Sequence, residues 1–248
     1  MFEDAIRYPF RGDPIRQTAV GGLLVLGSVF VLPALVLAGY GVRVLESTLE
    51  GETEPPPFDS WSDLAASGVV VVAVSAVYLL GPLVVGAVLA ALVGAVGYYG
   101  LTALAPVLAA SEALVWGTSL VAALLAGAAL LAFTAVTFAV YYAFPAAVAN
   151  YARTGRVRGA FDREALWPVV TSGEYLLAMA VLQLVPLVVP VLVVGAAITL
   201  VGLLLVPVFP FVGALLSLRL IGVAATASTD GRSDAERVAV RDPSARPG

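Results

Sequence analysis

The chain contains no cysteine, no histidine and no lysine; its 13 cations are all arginines. Without histidine there is no Ser-His-Asp triad, histidine-held metal or imidazole proton relay. Without cysteine there is no thiolate nucleophile, zinc cluster, iron–sulfur site or disulfide scaffold. Without lysine there is no Schiff base and no P-loop cation. Any metal site would rest on carboxylates, carbonyls and water. Charge is also scarce: only 12 % of the 248 residues are Asp, Glu, Arg or Lys, and the net charge is −4. An acidic chain lacks the basic footprint of a nucleic-acid binder. No cofactor is expected.

What is abundant is apolar surface. Hydrophobic residues make up 60 % and mean hydropathy is +1.00, against about 45–50 % apolar and about 25 % charged in a soluble domain. The excess cannot be hidden in a water-soluble fold of this size, so the chain reads as a multi-pass membrane protein. The acidic, lysine-free balance has two readings. One is a high-salt cytoplasm, where salt screens self-repulsion; the other is a GC-rich genome that favours Arg, Ala, Gly and Val.

A spanning helix needs about 20 mostly apolar residues. Four runs carry no charge: Gln17–Val42 (26 residues), Leu64–Ser111 (48), Ala113–Ala152 (40) and Tyr175–Leu218 (44). The first holds one span; the second and fourth each hold two; the third holds one. The expected fold is an all-α transmembrane bundle of six spans, near 18–39, 65–86, 88–110, 114–143, 175–196 and 198–220, with short interfacial amphipathic helices. Five spans is the alternative, because Gly81-Pro82 and Gly94–Gly100 compete as the turn in the second run.

Arginine placement favours six spans. Positive residues collect in cytoplasmic segments. Six spans put Arg7, Arg11, Arg16, the 153–163 group and the C-terminal arginines on one side, 12 of 13, with only Arg43 opposite; five spans split them 10 to 3. Both termini are then cytoplasmic. Three regions are expected: an interfacial segment 1–17, a transmembrane domain 18–222 and a disordered polar tail 223–248. In the first, Phe2, Ile6 and Phe10 suggest an amphipathic segment, with Pro9 set against a clean helix. The segment lacks the features of a cleaved signal peptide.

The loop after the first run is the most patterned. Tyr40 and Arg43 close the run, an acidic stretch and Pro55-Pro56-Pro57 follow, and Phe58, Trp61 and Leu64 lie three apart. This predicts a short interfacial helix starting at Ser60, with Tyr40, Arg43, Phe58 and Trp61 as interfacial anchors; a lid or docking helix is the functional reading, a plain anchor the simpler one. The 150–166 segment resembles it: Asn150-Tyr151, Arg153, Phe161-Asp162 and Leu166 echo Gly39-Tyr40, Arg43, Phe58-Asp59 and Leu64. This is either a decayed internal repeat or chance likeness of two elbows.

Arg153, Arg156, Arg158 and Arg163 sit within 11 residues after a long apolar run. They are candidate contacts for lipid phosphates, or an ordinary positive-inside signal. Glu112 is either an intramembrane acid or a solvated helix start. Gln183 is an interhelical hydrogen-bond candidate. Pro186, Pro190, Pro207 and Pro210 make the last run the place for kinks and a cavity.

Tyr8-Pro9, Pro33, Gly39-Tyr40-x-x-Arg43, Pro57-Phe58-x-x-Trp61, Gly68, Tyr78, Pro145-Ala146-Ala147-x-Ala149-Asn150-Tyr151-Ala152, Ala160-Phe161 and Tyr175 together resemble one family. It is a group of polytopic membrane proteins of halophilic and methanogenic archaea, described as domain of unknown function 4013. The likeness covers about residues 1–222. It implies a membrane location and supplies no catalytic residue.

The function expected is a structural or interaction component of the cell membrane, with a permease for a neutral or amphipathic small solute as the alternative. An enzyme is not expected: only Asp59, Asp63, Asp162, Glu164 and Glu174 sit near the membrane surface to serve one. The partners expected are membrane lipids, with a homo-oligomer or other membrane subunits left open.

Overall fold

The computed structural model describes residues 2–109 and 111–241. Ten α-helices and no strand occur among them. They are α1 (Phe2–Arg7), α2 (Pro14–Gly27), α3 (Val31–Leu49), α4 (Trp61–Leu108), α5 (Glu112–Thr154), α6 (Arg163–Val170), α7 (Gly173–Leu182), α8 (Val185–Ala197), α9 (Leu200–Leu205) and α10 (Val208–Arg241). Five stretches are long and apolar enough to cross a membrane: Val31–Leu49, Trp61–Val107, Glu112–Thr154, Gly173–Ala197 and Gly202–Ser228. The fold is an all-α membrane bundle with five such stretches rather than six.

Two of the expected spans are not separate. The run from Leu64 to Leu108 belongs to one helix, α4. Neither Gly81-Pro82 nor Gly94–Gly100 turns the chain. Pro82 removes one backbone donor, and among apolar neighbours the freed backbone can be satisfied by another helix rather than by a turn into water. Close by, the Tyr141 hydroxyl of α5 donates to the Leu79 carbonyl at 3.0 Å and ties the two helices together near Pro82.

The first run also behaves differently from expectation. It breaks at Ser28–Phe30, where Ser28 Oγ donates to the Val25 carbonyl (2.6 Å) and the Phe30 N–H to that of Gly27 (2.8 Å). Pro33 sits in the first turn of α3, where its missing N–H costs nothing. The chain folds back on itself here. Gln17 in α2 and Tyr40 in α3 reach adjacent residues of the same loop, Pro55 and Pro56.

The described chain forms two compact bodies. One comprises residues up to Val74 and from Ala143 onward; the other is Ser75–Tyr142. In the second, residues 75–108 of α4 and 112–142 of α5 pack as a hairpin, with Phe133 filling the space over Gly86. Glu112 starts α5 and is exposed, so it is a helix start.

In the first body, α3 and α4 meet through glycine. A Cβ on Gly39 would lie 1.7 Å from the Leu64 carbonyl oxygen, and one on Gly68 1.9 Å from that of Leu35. Only two bare backbones can approach so closely. Beside this crossing lies the core, Tyr8, Val36, Tyr40, Val44, Phe58, Leu64, Phe211 and Leu215.

The segment expected to be disordered from 223 instead continues α10 as far as Arg241. Ala224 and Ala225 are buried, because their small side chains let α10 stay packed beyond the apolar run. Ala, Glu and Arg farther along are good helix formers. Residues 242–248 lie outside the described residues. The N-terminal segment is helical to Arg7 and then tightens to a 3₁₀ turn, Tyr8–Phe10, at Pro9.

Candidate functional site

The loop Gly51–Ser60 has three prolines and therefore few N–H groups of its own. Five of its carbonyls are instead held by side chains from three helices and the turn before α2. Arg219 of α10 donates to the carbonyl of Glu52. Arg11 donates to Thr53 (3.1 Å), Gln17 to Pro55 (2.9 Å), Tyr40 to Pro56 (3.0 Å) and Arg43 to Asp59 (2.9 Å). The Asp59 carboxylate also pairs with Arg43. These contacts form a clasp that joins the N-terminal segment, α2, α3, the loop and α10 at one end of the first body.

Aromatic rings fill the inside of the clasp. Tyr40 stacks on Phe58 with centroids 3.8 Å apart and planes 14° from parallel; Phe211 stands about 6 Å from both. Tyr40 is 1 % exposed and Phe58 9 %. Both were expected to anchor in the headgroup layer, and both are core. The helical spacing of Phe58, Trp61 and Leu64 misleads here, because α4 begins only at Trp61 and Phe58 lies in the proline loop. Trp61 opens the long α4 rather than a short interfacial helix. It is 49 % exposed, and of the four it alone keeps a largely open face. Arg43 is occupied by Asp59 rather than free to snorkel.

At the centre is a buried cation. Arg219 is 5 % exposed, yet it carries a full charge. Its guanidinium pairs with Asp4 at 3.0 Å and stands 4.8 Å from the centre of the Tyr8 ring. Asp4 also pairs with Arg11 at 2.7 Å. Burial opposes the Asp4 charge, but hydrogen bonds and charge from Arg219 and Arg11 outweigh it and hold the carboxyl below the usual range. Burial pushes the Tyr8 hydroxyl upward, with Ser47, Thr48 and the Arg219 charge acting against it.

No local pattern pairs Arg219, Arg11, Asp4 or Gln17 with its partner. The one available hint is that Arg219 and Gln17 stand at the edge of an apolar run, where a polar group needs a partner.

The four candidate phosphate-binding arginines are not one cluster with one role. Arg153 donates to Asn150 Oδ1 (2.6 Å), and Asn150 in turn donates to the Gly159 carbonyl (2.7 Å). Arg163 lies 5.9 Å from the Trp167 ring. Arg156 and Arg158 are exposed, and no ion pair involves them among the described residues. Asp162 caps α6 by accepting from the N–H groups of Glu164 and Ala165. The two elbows thus share a device: Tyr40 and Asn150 each reach from a long helix to a carbonyl of the following turn.

Two large grooves line the first body. One, of about 470 Å³, is lined by α3, α10 and the adjoining parts of α4 and α5, including Leu37, Gly41, Phe144 and Leu218. The other, of about 420 Å³, runs between α7–α8 and α10 and is wholly apolar. It lies in the proline-rich last run, where a cavity was expected. Gln183 is exposed at the break between α7 and α8. No group of three acidic side chains able to hold a metal occurs among the described residues.

Residues 22–206 match the family described as protein of unknown function DUF4013. The chain belongs to the DUF4013 family. Neither the curated proteins nor the solved structures give a match. Within this DUF4013 chain, the residues that carried the resemblance now have physical roles. Tyr40, Arg43 and Phe58 build the clasp, Tyr8 underlies Arg219, and Gly39 and Gly68 permit the helix crossing. Tyr175 donates order elsewhere: its hydroxyl accepts the Ala146 N–H at 3.2 Å.

Proposed function

We propose that this DUF4013 protein is a structural or interaction component of the cell membrane, which holds lipids or partner subunits and performs no reaction. The observation that carries this reading is the separation of polar from apolar. Among the described residues the ion pairs of the first body all lie in the N-terminal segment and the clasp, while its two large grooves are lined almost entirely by hydrocarbon. Ion-coupled transport and proton relays keep ionisable groups inside the spans. A path for a polar solute needs hydrogen-bonding walls. Neither is found in these grooves.

The same reading places the clasp end in the cytoplasm. Arg7, Arg11, Arg16, Arg43 and Arg219 all belong to elements joined by the clasp, so Arg43 ceases to be the exception to the positive-inside pattern. α2, about 21 Å long, falls short of a hydrocarbon core of about 30 Å. The first run then enters the bilayer and returns to the side it left. Within the 153–163 turn, Arg156 and Arg158 are the arginines free to meet lipid phosphates.

The test is permeation. Vesicles carrying the purified protein are mixed with glycerol or urea in a stopped-flow light-scattering experiment. The expected relaxation equals that of protein-free vesicles. A clearly faster, protein-dependent relaxation would establish the permease instead.

A further inference from the structure

We infer that the groove between α8 and α10 holds one hydrocarbon chain of a membrane lipid, with the lipid phosphate at the α1 end. The inference rests on the proposed role as a lipid-holding membrane component and names the site. Val185, Val188 and Leu192 form one wall, and Phe209 and Leu216 the other. Gly213 lies between them: a Cβ there would be 3.0 Å from Val189 and 3.3 Å from Val185. The glycine therefore brings α10 close to α8 and leaves the floor of the groove without a side chain.

Three features select the occupant. First, the walls offer no polar atom. A trapped water needs two to four polar partners, so water does not fill the space. Second, the groove has the length of one leaflet. Its lining runs from Val181 to Leu192 on one side and from Phe209 to Leu220 on the other. Eleven helical steps span about 16 Å, half of a hydrocarbon core of about 30 Å. Both walls belong to stretches long and apolar enough to cross a membrane, so lipid chains are the surrounding solvent. Third, the two ends differ. At the Leu220 end, Ala5 and Ile6 of α1 close the groove, and next to Ile6 the Arg7–Glu3 pair is solvent-exposed at 2.8 Å. At the other end only Leu192 and Phe209 are met. An amphipathic molecule with a phosphate beside Arg7 and its chain along the groove matches this polarity. A second apolar helix would not need the charged end.

Intact-mass spectrometry of full-length protein, extracted from phosphatidylcholine–phosphatidylglycerol vesicles into mild detergent, tests the inference. Val188 is 51 % exposed, so V188W fills the groove without disturbing a buried side chain; V84W, at a 61 % exposed position of the second body, is the control. The wild type and V84W are expected to retain one phospholipid per chain, V188W at least tenfold less, and R7Q severalfold less. Should V188W fail to fold, Leu192→Trp, at a 45 % exposed position of the same wall, fills the groove and carries the same expectation. No lipid on the wild type, or equal retention by V188W and V84W, would overturn the site. A chain-to-chain dimer lost in V188W would overturn it in favour of a second copy, and palmitate retained as well as phospholipid by both wild type and R7Q would overturn the phosphate end. Each result is separate from the permeation experiment, which reads solute flux and not bound lipid.

Discussion

Arg219 donates to the carbonyl of Glu52, 167 residues earlier in the chain. The contact ties the loop that leaves the end of α3 to the body of α10. Because the guanidinium is buried, its bonds are difficult to replace with water. Arg219→Met is expected to lower stability by about 2–3 kcal/mol, the range for hydrogen bonds to a charged group that leave partners unpaired. Arg43→Met removes a pair whose carboxylate is 64 % exposed, and such pairs contribute about 0–1 kcal/mol. Thermal unfolding in detergent should rank the two variants in that order; equal losses would deny Arg219 its central place.

Gly39→Ala should be among the most damaging single substitutions. Its Cβ would fall 1.7 Å from backbone oxygen, which cannot move aside as a side chain can. Overpacking costs about 1–3 kcal/mol where the structure can adjust, and here α3 and α4 must separate. Gly81→Ala meets nothing within 4 Å and should be neutral or stabilising by up to about 1 kcal/mol from helix propensity. Midpoints of thermal unfolding compare the pair.

The Asp4 carboxyl is held below its ordinary range in the folded chain. Its contribution is therefore full above the unfolded aspartate value of about 3.9, and is lost as pH falls through the lower folded value. Unfolding midpoints of wild type and Asp4→Asn should differ at pH 7 and converge below about pH 4. A gap that stays constant down to pH 2.5 would show that Asp4 acts through shape rather than charge.

Arg156 and Arg158 have no ion-pair partner among the described residues, whereas Arg153 is held by Asn150 and Arg163 stands against Trp167. A basic residue near an anionic leaflet contributes about 1 kcal/mol. The double variant Arg156→Gln/Arg158→Gln should therefore weaken binding of anionic vesicles by up to about 30-fold in a co-sedimentation assay at low salt. Arg153→Gln should instead loosen the turn, with a smaller effect on lipid.

Much of this architecture was legible in the sequence. The helical membrane class, the turn at Ser111-Glu112 and the groove in the proline-rich last run follow from hydropathy and from proline's missing donor. The errors share a cause. Absence of charge marks where a chain can be in lipid but not where it turns. The 48-residue run stayed one helix through Pro82, whereas the 26-residue run turned at Ser28–Phe30 with no charge to announce it. Aromatic residues flanking an apolar run serve as membrane anchors or as packing; for Tyr40 and Phe58 the proline loop that brings them together decides in favour of packing. The clasp itself was beyond a local reading, since periodicity cannot pair Arg219 with Glu52 or Gln17 with Pro55.

The absence of cysteine permits the most direct test of the central claim, that the N-terminal segment and the first loop share a side. Glu3→Cys and Glu54→Cys, both at exposed positions, are labelled separately in sealed, oriented membrane vesicles with a membrane-impermeant maleimide. Both should react from the same face, the cytoplasmic one. Labelling of Glu54→Cys from the face opposite to Glu3→Cys would mean that the first run crosses the membrane, and would contradict the clasp.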